Sequence, residues 1–269
     1  MSFQAASPEA DAFDRRIPFG VVRDTWAIAQ RNLIAYRRVP QLLVFSTIQP
    51  VIFVLMFRYV FGGAIKTGPV PYVDYLMPGI FVQTVVFGSL ATAIGLATDL
   101  KSGLLERFRS LPMTSPAVLA GRTMADLMRN VFVIALMMLV GFLVDWRIHT
   151  NAVGLISGGL LVLLFGFAMS WIFATVGLAV GDPETAQAAA FPVLAPLVFA
   201  SAAFVRVDQM PGWLQPWARN QPVSVTAEAV RALTIGGPTS SLVIKSILWS
   251  IAMIAIFAPI SVRLYRRAV

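Results

Sequence analysis

Cysteine is absent from the 269 residues, which excludes disulfides, thiolate chemistry and cysteine-ligated metals. Histidine occurs once, as His149; with no cysteine or clustered carboxylates beside it, it offers neither a metal site nor a general base. Charge is scarce as well. Only 13% of residues are charged, about half the share of an ordinary soluble domain. No Gly-x-x-x-x-Gly-Lys-Ser/Thr phosphate loop, Gly-x-Ser-x-Gly elbow or His-Glu-x-x-His helix occurs. A hydrolase or metalloprotease therefore lacks its parts. The chain is expected to be no enzyme, with no metal or cofactor of its own. If it moves anything uphill, the energy comes from a partner.

Apolar length is what the sequence has instead. Hydrophobic residues make up 58% of the chain, more than so few charges could cover in water. Lipid as a second solvent removes that difficulty, and helices satisfy their own backbone there. A barrel would show alternating strands of about ten residues rather than long apolar runs. The expected fold is an all-α integral membrane protein with six transmembrane helices, at 41–60, 76–98, 125–144, 152–180, 186–205 and 242–264. Each run approaches the roughly 20 residues a crossing needs. The fourth, at 29 residues, is long enough to tilt or overshoot.

Charge placement predicts topology. Thirteen Lys and Arg fall on the side of the N-terminus and five on the other, so both termini are expected in the cytoplasm of a plasma-membrane protein. Arg58, Arg129 and Lys245 are read at span ends, where long side chains snorkel to headgroups. The first 40 residues are polar and carry six Arg, unlike a signal peptide. Residues 1–18 are expected as a disordered cytoplasmic tail and 19–269 as one transmembrane domain. The net charge of +8 is spread over segment ends, which argues against nucleic acid as a partner.

The segments between spans carry the most pattern. Val22, Trp26, Ala29, Leu33 and Tyr36 share one helical face, with Arg23, Arg31, Arg37 and Arg38 elsewhere. This predicts a basic amphipathic helix over about 20–39, lying in the inner membrane interface and stopped by Pro40. Leu104, Leu105, Phe108 and Leu111 repeat at helical spacing opposite Glu106, Arg107 and Arg109. Such a short cytoplasmic helix wants lipid or a protein groove. Gly181, Asp182 and Pro183 read as a helix end, an N-cap and a first helical position. Beyond the fifth span, Trp213 and Trp217 suit the outer interface. Asn220 and Pro222 lead a helix on which Glu228 and Arg231 pair at i, i+3. Two short re-entrant or interfacial helices are expected there. Within spans, Gln49-Pro50, Pro192 and Pro196 are kinks and candidates for lining a path. Gly154, Gly158, Gly159 and Gly166 give the fourth span small residues for close packing. Asp99 and Asp126 are placed near cytoplasmic span ends, leaving no carboxylate at a span centre.

This order of parts resembles the permease subunits of type-2 ABC exporters, most nearly the actinobacterial daunorubicin-resistance (DrrB-like) and related lipid-exporting permeases. Glu106-Arg-Phe-Arg-Ser-Leu-Pro112 with Leu119-Ala-Gly-Arg122 resembles the family's coupling-helix region. Pro211-Gly-Trp-Leu-Gln-Pro-Trp217 with Asn220-Gln-Pro-Val-Ser224 and Arg231 resembles its segment before the last span. The resemblance implies a second permease, identical or homologous, and two copies of a separate ABC-type ATPase that binds ATP and Mg. It implies ATP-driven movement of an amphiphilic drug or lipid outward, with Leu104, Leu105, Phe108 and Leu111 as groove anchors and Glu106, Arg107 and Arg109 as rim charges. A polysaccharide or teichoic-acid exporter permease, or a non-transporting membrane assembly subunit, shares the architecture.

Overall fold

The computed structural model describes residues 25–30, 34, 40–63, 70–104 and 115–268. Every regular element among them is helical. Helix α1 spans Pro40–Leu55 and runs into a π-helical segment, Met56–Phe61. Then come α2 (Tyr72–Gly88), α3 (Leu90–Lys101), α4 (Ser115–Leu143), α5 (Ala152–Val180) and α6 (Pro183–Phe199). A 3-10 turn at Val207–Gln209, α7 (Gln215–Asn220), α8 (Pro222–Ile235) and α9 (Ser240–Ala268) complete the order. Four runs are long and apolar enough to cross a membrane: Tyr72–Lys101, Val118–Leu143, Ala152–Val180 and Ser240–Ala268. Ser46–Phe61 is apolar but shorter, and α6 has 17 residues interrupted by Pro192 and Pro196.

Helices α2 and α5 form the centre. Phe81, Val82, Val85, Val162, Phe165 and Met169 are fully or almost fully buried and belong to one continuous core. Close approach there depends on missing side chains. A Cβ at Gly79 would collide with the Ala203 carbonyl, and one at Gly177 with that of Ala93. Three of the four predicted glycines of α5 meet different neighbours rather than one partner. Gly154 lies against Leu233, Gly159 faces Met138 and Gly166 faces Val85.

At one end of the bundle α5 turns tightly into α6. Gly181 takes φ +71, and the Asp182 side chain caps α6 by accepting from the Thr185 amide at 3.0 Å, as the sequence predicts. Lys101 at the end of α3 donates to Asp182 at 2.6 Å, and Arg122 of α4 pairs with Asp99 at 3.1 Å. A second apolar cluster, including Leu96, Leu119, Trp171, Leu178 and Tyr265, packs this hairpin end.

The opposite end is closed by a cap. Helix α8 buries Val223, Ala227 and Val230 in the main core, so it is tucked into the bundle. The chain after α6 brings Phe204 against Phe57 of the π-helical segment, rings stacked at 4.6 Å. Helix α9 is peripheral, with only 17% of its apolar window buried. Small hydroxyls fasten it: Thr226 to Ser246 at 2.8 Å and Thr175 to Ser261 at 2.8 Å. Such pairs replace the hydrophobic drive that lipid cannot supply.

The boundaries shift in one place that matters. The third predicted span begins at 125, but α4 begins at Ser115. Arg122, Asp126 and Arg129 therefore lie well inside a helix, not at its edge.

Candidate functional site

Helices α1, α2, α3 and α4 line a partly open cavity of about 420 Å³. Its polar lining comes from Ser46 and Gln49 of α1, Gln83 and Thr84 of α2, and Arg129 and Asn130 of α4. Pro50, Phe87 and Leu90 are among its apolar walls. The α2–α3 break at Ser89 shapes one side. Its hydroxyl donates back to the Val85 carbonyl at 2.8 Å, so the chain bends without losing its bonding. Gly88 makes room beside it: a Cβ there would sit 3.0 Å from the Arg129 guanidinium and 3.1 Å from Asn130 Oδ1.

Arg129 and Asp126 correct the sequence reading. Arg129 is 5% exposed and does not snorkel. Its guanidinium donates to the Gly88 carbonyl at 2.7 Å and to Asn130 Oδ1 at 3.3 Å, with the Asp126 carboxylate 3.8 Å away. Asp126 is fully buried and accepts from Thr92 at 2.6 Å. The apolar run that predicts the third span, 125–144, is centred on the C-terminal half of this helix, Ser115–Leu143, which places both residues at its margin.

A second, more open cleft, about 600 Å³, lies at the cap, lined by Tyr75, Arg206, Asp208, Glu228 and Arg231 among others. Arg231 organises this end. It is 4% exposed, donates to the carbonyls of Tyr75 and Ala203, both at 2.8 Å, and pairs with Glu228 at 2.9 Å. Its guanidinium carbon stacks 3.6 Å above the Tyr75 ring. The predicted Glu228–Arg231 pair is present, and its function here is to join α2, α8 and the chain after α6. Arg206 and Asp208 bond to each other at the rim at 2.8 Å. The Arg206 bond, the largest effect, holds the Asp208 carboxyl below its ordinary range.

The other sequence-predicted residues are distributed as follows. Gln49 and Pro50 line the α1–α4 cavity. Pro192 and Pro196 sit on the exposed side of α6. Trp213 and Trp217 are exposed at 80% and 51%, while Asn220 donates to the Pro216 carbonyl at 2.9 Å and Pro222 opens α8. Trp26 is 48% exposed, whereas Ile28 and Ala29 are buried. A Cβ on Gly121 of α4 would meet Ile28, so this stretch packs on protein with Trp26 turned outward. Leu104 is half-buried. Leu105, Glu106, Arg107, Phe108, Arg109 and Leu111 lie outside the described residues, as do Arg31, Arg37 and Arg38. Lys245 is exposed.

Sequence reasoning missed Asp74. It is 1% exposed, accepts from the Arg147 amide at 2.8 Å and lies 2.7 Å from His149 Nε2. The pair holds the α4–α5 loop onto α2. No local spacing signals it, because the partners are about 75 residues apart.

The sequence matches the ABC-2 type transporter family over residues 23–235. It is 37% identical over 236 residues to the daunorubicin resistance ABC transporter permease protein DrrB1 of Streptomyces coeruleorubidus, covering 88% of this chain and 83% of that protein. A probable doxorubicin resistance ABC transporter permease protein, DrrC, of Mycobacterium tuberculosis is 27% identical over 194 residues, 72% of this chain and 70% of that one. A putative transport permease, ycf38, of Cyanophora paradoxa is 25% identical over 219 residues, 80% and 75% of the two chains. The chain belongs to the ABC-2 type transporter family. It is a multi-pass membrane permease subunit of an ABC transporter.

Proposed function

We propose that this permease exports an amphiphilic drug or lipid from the cytoplasm or inner leaflet, driven by ATP hydrolysed in a separate subunit. One observation carries the reading. The relatives named for daunorubicin and doxorubicin resistance align with most of the chain, at 88% for one and 72% for another. The family match over residues 23–235 takes in the α1–α4 cavity.

Two ATPase subunits dock beneath a pair of permeases, with both chain termini on the ATPase side and six crossings per permease. Helices α1 and α6 supply the two shorter crossings. The 101–111 segment seats in the ATPase, with Leu104, Leu105, Phe108 and Leu111 as anchors and Glu106, Arg107 and Arg109 at the rim. Trp26 and the neighbouring Arg31, Arg37 and Arg38 hold the N-terminal helix at the inner interface. The exposed Pro192–Pro196 side of α6 is available to the second permease, and Gln49-Pro50 borders the route inside each one. Switching a gate from 1:99 to 99:1 takes about 5.5 kcal/mol of differential binding, within what nucleotide binding delivers through a docked helix.

The test is Phe108→Asp in the permease reconstituted with its ATPase in liposomes. The variant is expected to insert normally while ATP hydrolysis continues without export. Export at the wild-type rate would rule out docking through this segment.

A further inference from the structure

Helix α9 turns one face to the bundle and leaves another uncovered. Ser246, Ser250, Met253, Ser261 and Tyr265 are its buried residues, while Ile244, Leu248, Trp249, Ile251 and Ile256 are exposed. Lys245 is the one charged residue of the helix before Arg263, and α9 holds no Asp or Glu. It is exposed and makes no ion pair among the described residues. A cation on such an apolar face needs an anion or water to meet it.

The surface beside this lysine is shaped. Lys245, Leu248, Trp249 and Ala252 line a shallow, open groove of about 300 Å³. These positions stand at i, i+3, i+4 and i+7, so the groove follows the helix axis for about 10 Å. Lys245, in the second turn of α9, marks the end of the groove nearest the cap. Trp249 adds an indole, a ring that favours the headgroup level of a bilayer. The small Ala252 leaves the stripe unfilled one turn after Leu248.

A positive end and an apolar length along one axis narrow the occupant. A soluble anion would take the lysine and leave the apolar length uncovered. A protein helix would have to carry a carboxylate into the bilayer to reach it. A lipid brings both parts at once, a charge at headgroup depth and a chain running across the leaflet.

We propose that this groove holds an anionic phospholipid of the leaflet on the cap side, its headgroup on Lys245 and one acyl chain along Leu248, Trp249 and Ala252. The site goes beyond the export reading and draws only on α9 as a membrane-spanning helix.

The test uses the full-length permease in nanodiscs of equal phosphatidylglycerol and phosphatidylcholine, with a trace of one or the other carrying a diazirine in its acyl chain. Phosphatidylglycerol is expected to label residues 248–252 about fivefold more than phosphatidylcholine, the contribution of one lysine near an anionic headgroup. Lys245→Gln should bring the two lipids to parity and Lys245→Arg should keep the preference. Ala252→Phe, which fills the groove, should reduce labelling by phosphatidylglycerol several-fold. All three positions of change are exposed, so the melting temperature should not move. Excess soluble glycerophosphoglycerol should not compete, because it lacks the chain. Equal labelling by the two lipids in the wild type, a preference that survives Lys245→Gln, labelling untouched by Ala252→Phe, or competition by the soluble headgroup would overturn the assignment. No nucleotide or ATPase enters the assay, so its failure leaves ATP-driven export standing. Failed export in the reconstituted complex leaves the lipid site intact.

Discussion

Two buried arginines divide this molecule into a locked end and an open middle. Arg231 under the cap makes three short bonds to three parts of the chain and stacks on a ring. Arg129 makes one short bond, stands 3.8 Å from its carboxylate and borders space. Both are 5% exposed or less, so burial alone does not separate them. The difference lies in what surrounds the guanidinium: carbonyls that would otherwise be bare, or the open room of the α1–α4 cavity. A membrane protein tolerates an intramembrane charge for structure or for traffic, and the bonding of Arg231 marks it as structural.

Breaking the locked end should cost most. Arg231→Met leaves two buried carbonyls and Glu228 without their donor, and we expect a loss of roughly 3–5 kcal/mol, read as a collapse of the thermal midpoint in detergent. Arg231→Lys should recover part of it, since one ammonium cannot replace the fork. Next comes Gly79→Ala, which forces a methyl group into the Ala203 carbonyl and loosens the cap from α2. About 2 kcal/mol is expected, and an unchanged midpoint would show that the cap slides freely on α2.

Arg129→Met sharpens the contrast. Water entering the 420 Å³ cavity can satisfy the Gly88 carbonyl, but the buried Asp126 loses its neighbouring cation, so stability should fall by about 2–3 kcal/mol, less than for Arg231, while export drops far more. Equal stability losses for the two arginine variants would erase the distinction. The smallest effect belongs to the hairpin end. Hydrogen bonds from Lys101 and then Thr185 lower the Asp182 carboxyl from 3.8 to about 2. A depressed carboxyl stabilises above its ordinary value and loses that contribution as pH falls toward 2. Asp182→Asn keeps the helix cap and removes only an exposed ion pair. Its midpoint should track the wild type at a constant small offset between pH 5 and 8, shrinking in high salt.

Local features were legible in the sequence because their causes are local. Gly181, Asp182 and Pro183 end one helix and start the next through neighbours only, and Glu228 meets Arg231 one turn away. The α5 bounds, Ala152–Val180, follow from an unbroken apolar run. What sequence did not disclose depends on distant partners or on register. Asp74 needs His149, and Gly79 and Gly177 need carbonyls on other helices. Asp126 and Arg129 are placed at a margin by sequence because Arg122, Asp126 and Arg129 interrupt the first half of α4, although the apolar run of the helix reaches back to Val118. The cavity followed from that register: only with Arg129 inside does a polar wall exist for Gln49 and Gln83 to face.

Helix α3 has twelve residues, about 18 Å of rise. One tip is clasped by Asp182, and its flank rests on Gly177 with backbone against backbone. The other tip begins at Ser89, beside the cavity rim. A rod that short does not buckle. A push received at the Lys101 tip, from which the chain runs on toward Phe108, would therefore reach the rim nearly whole, much as a pushrod opens a valve from the far side of an engine block.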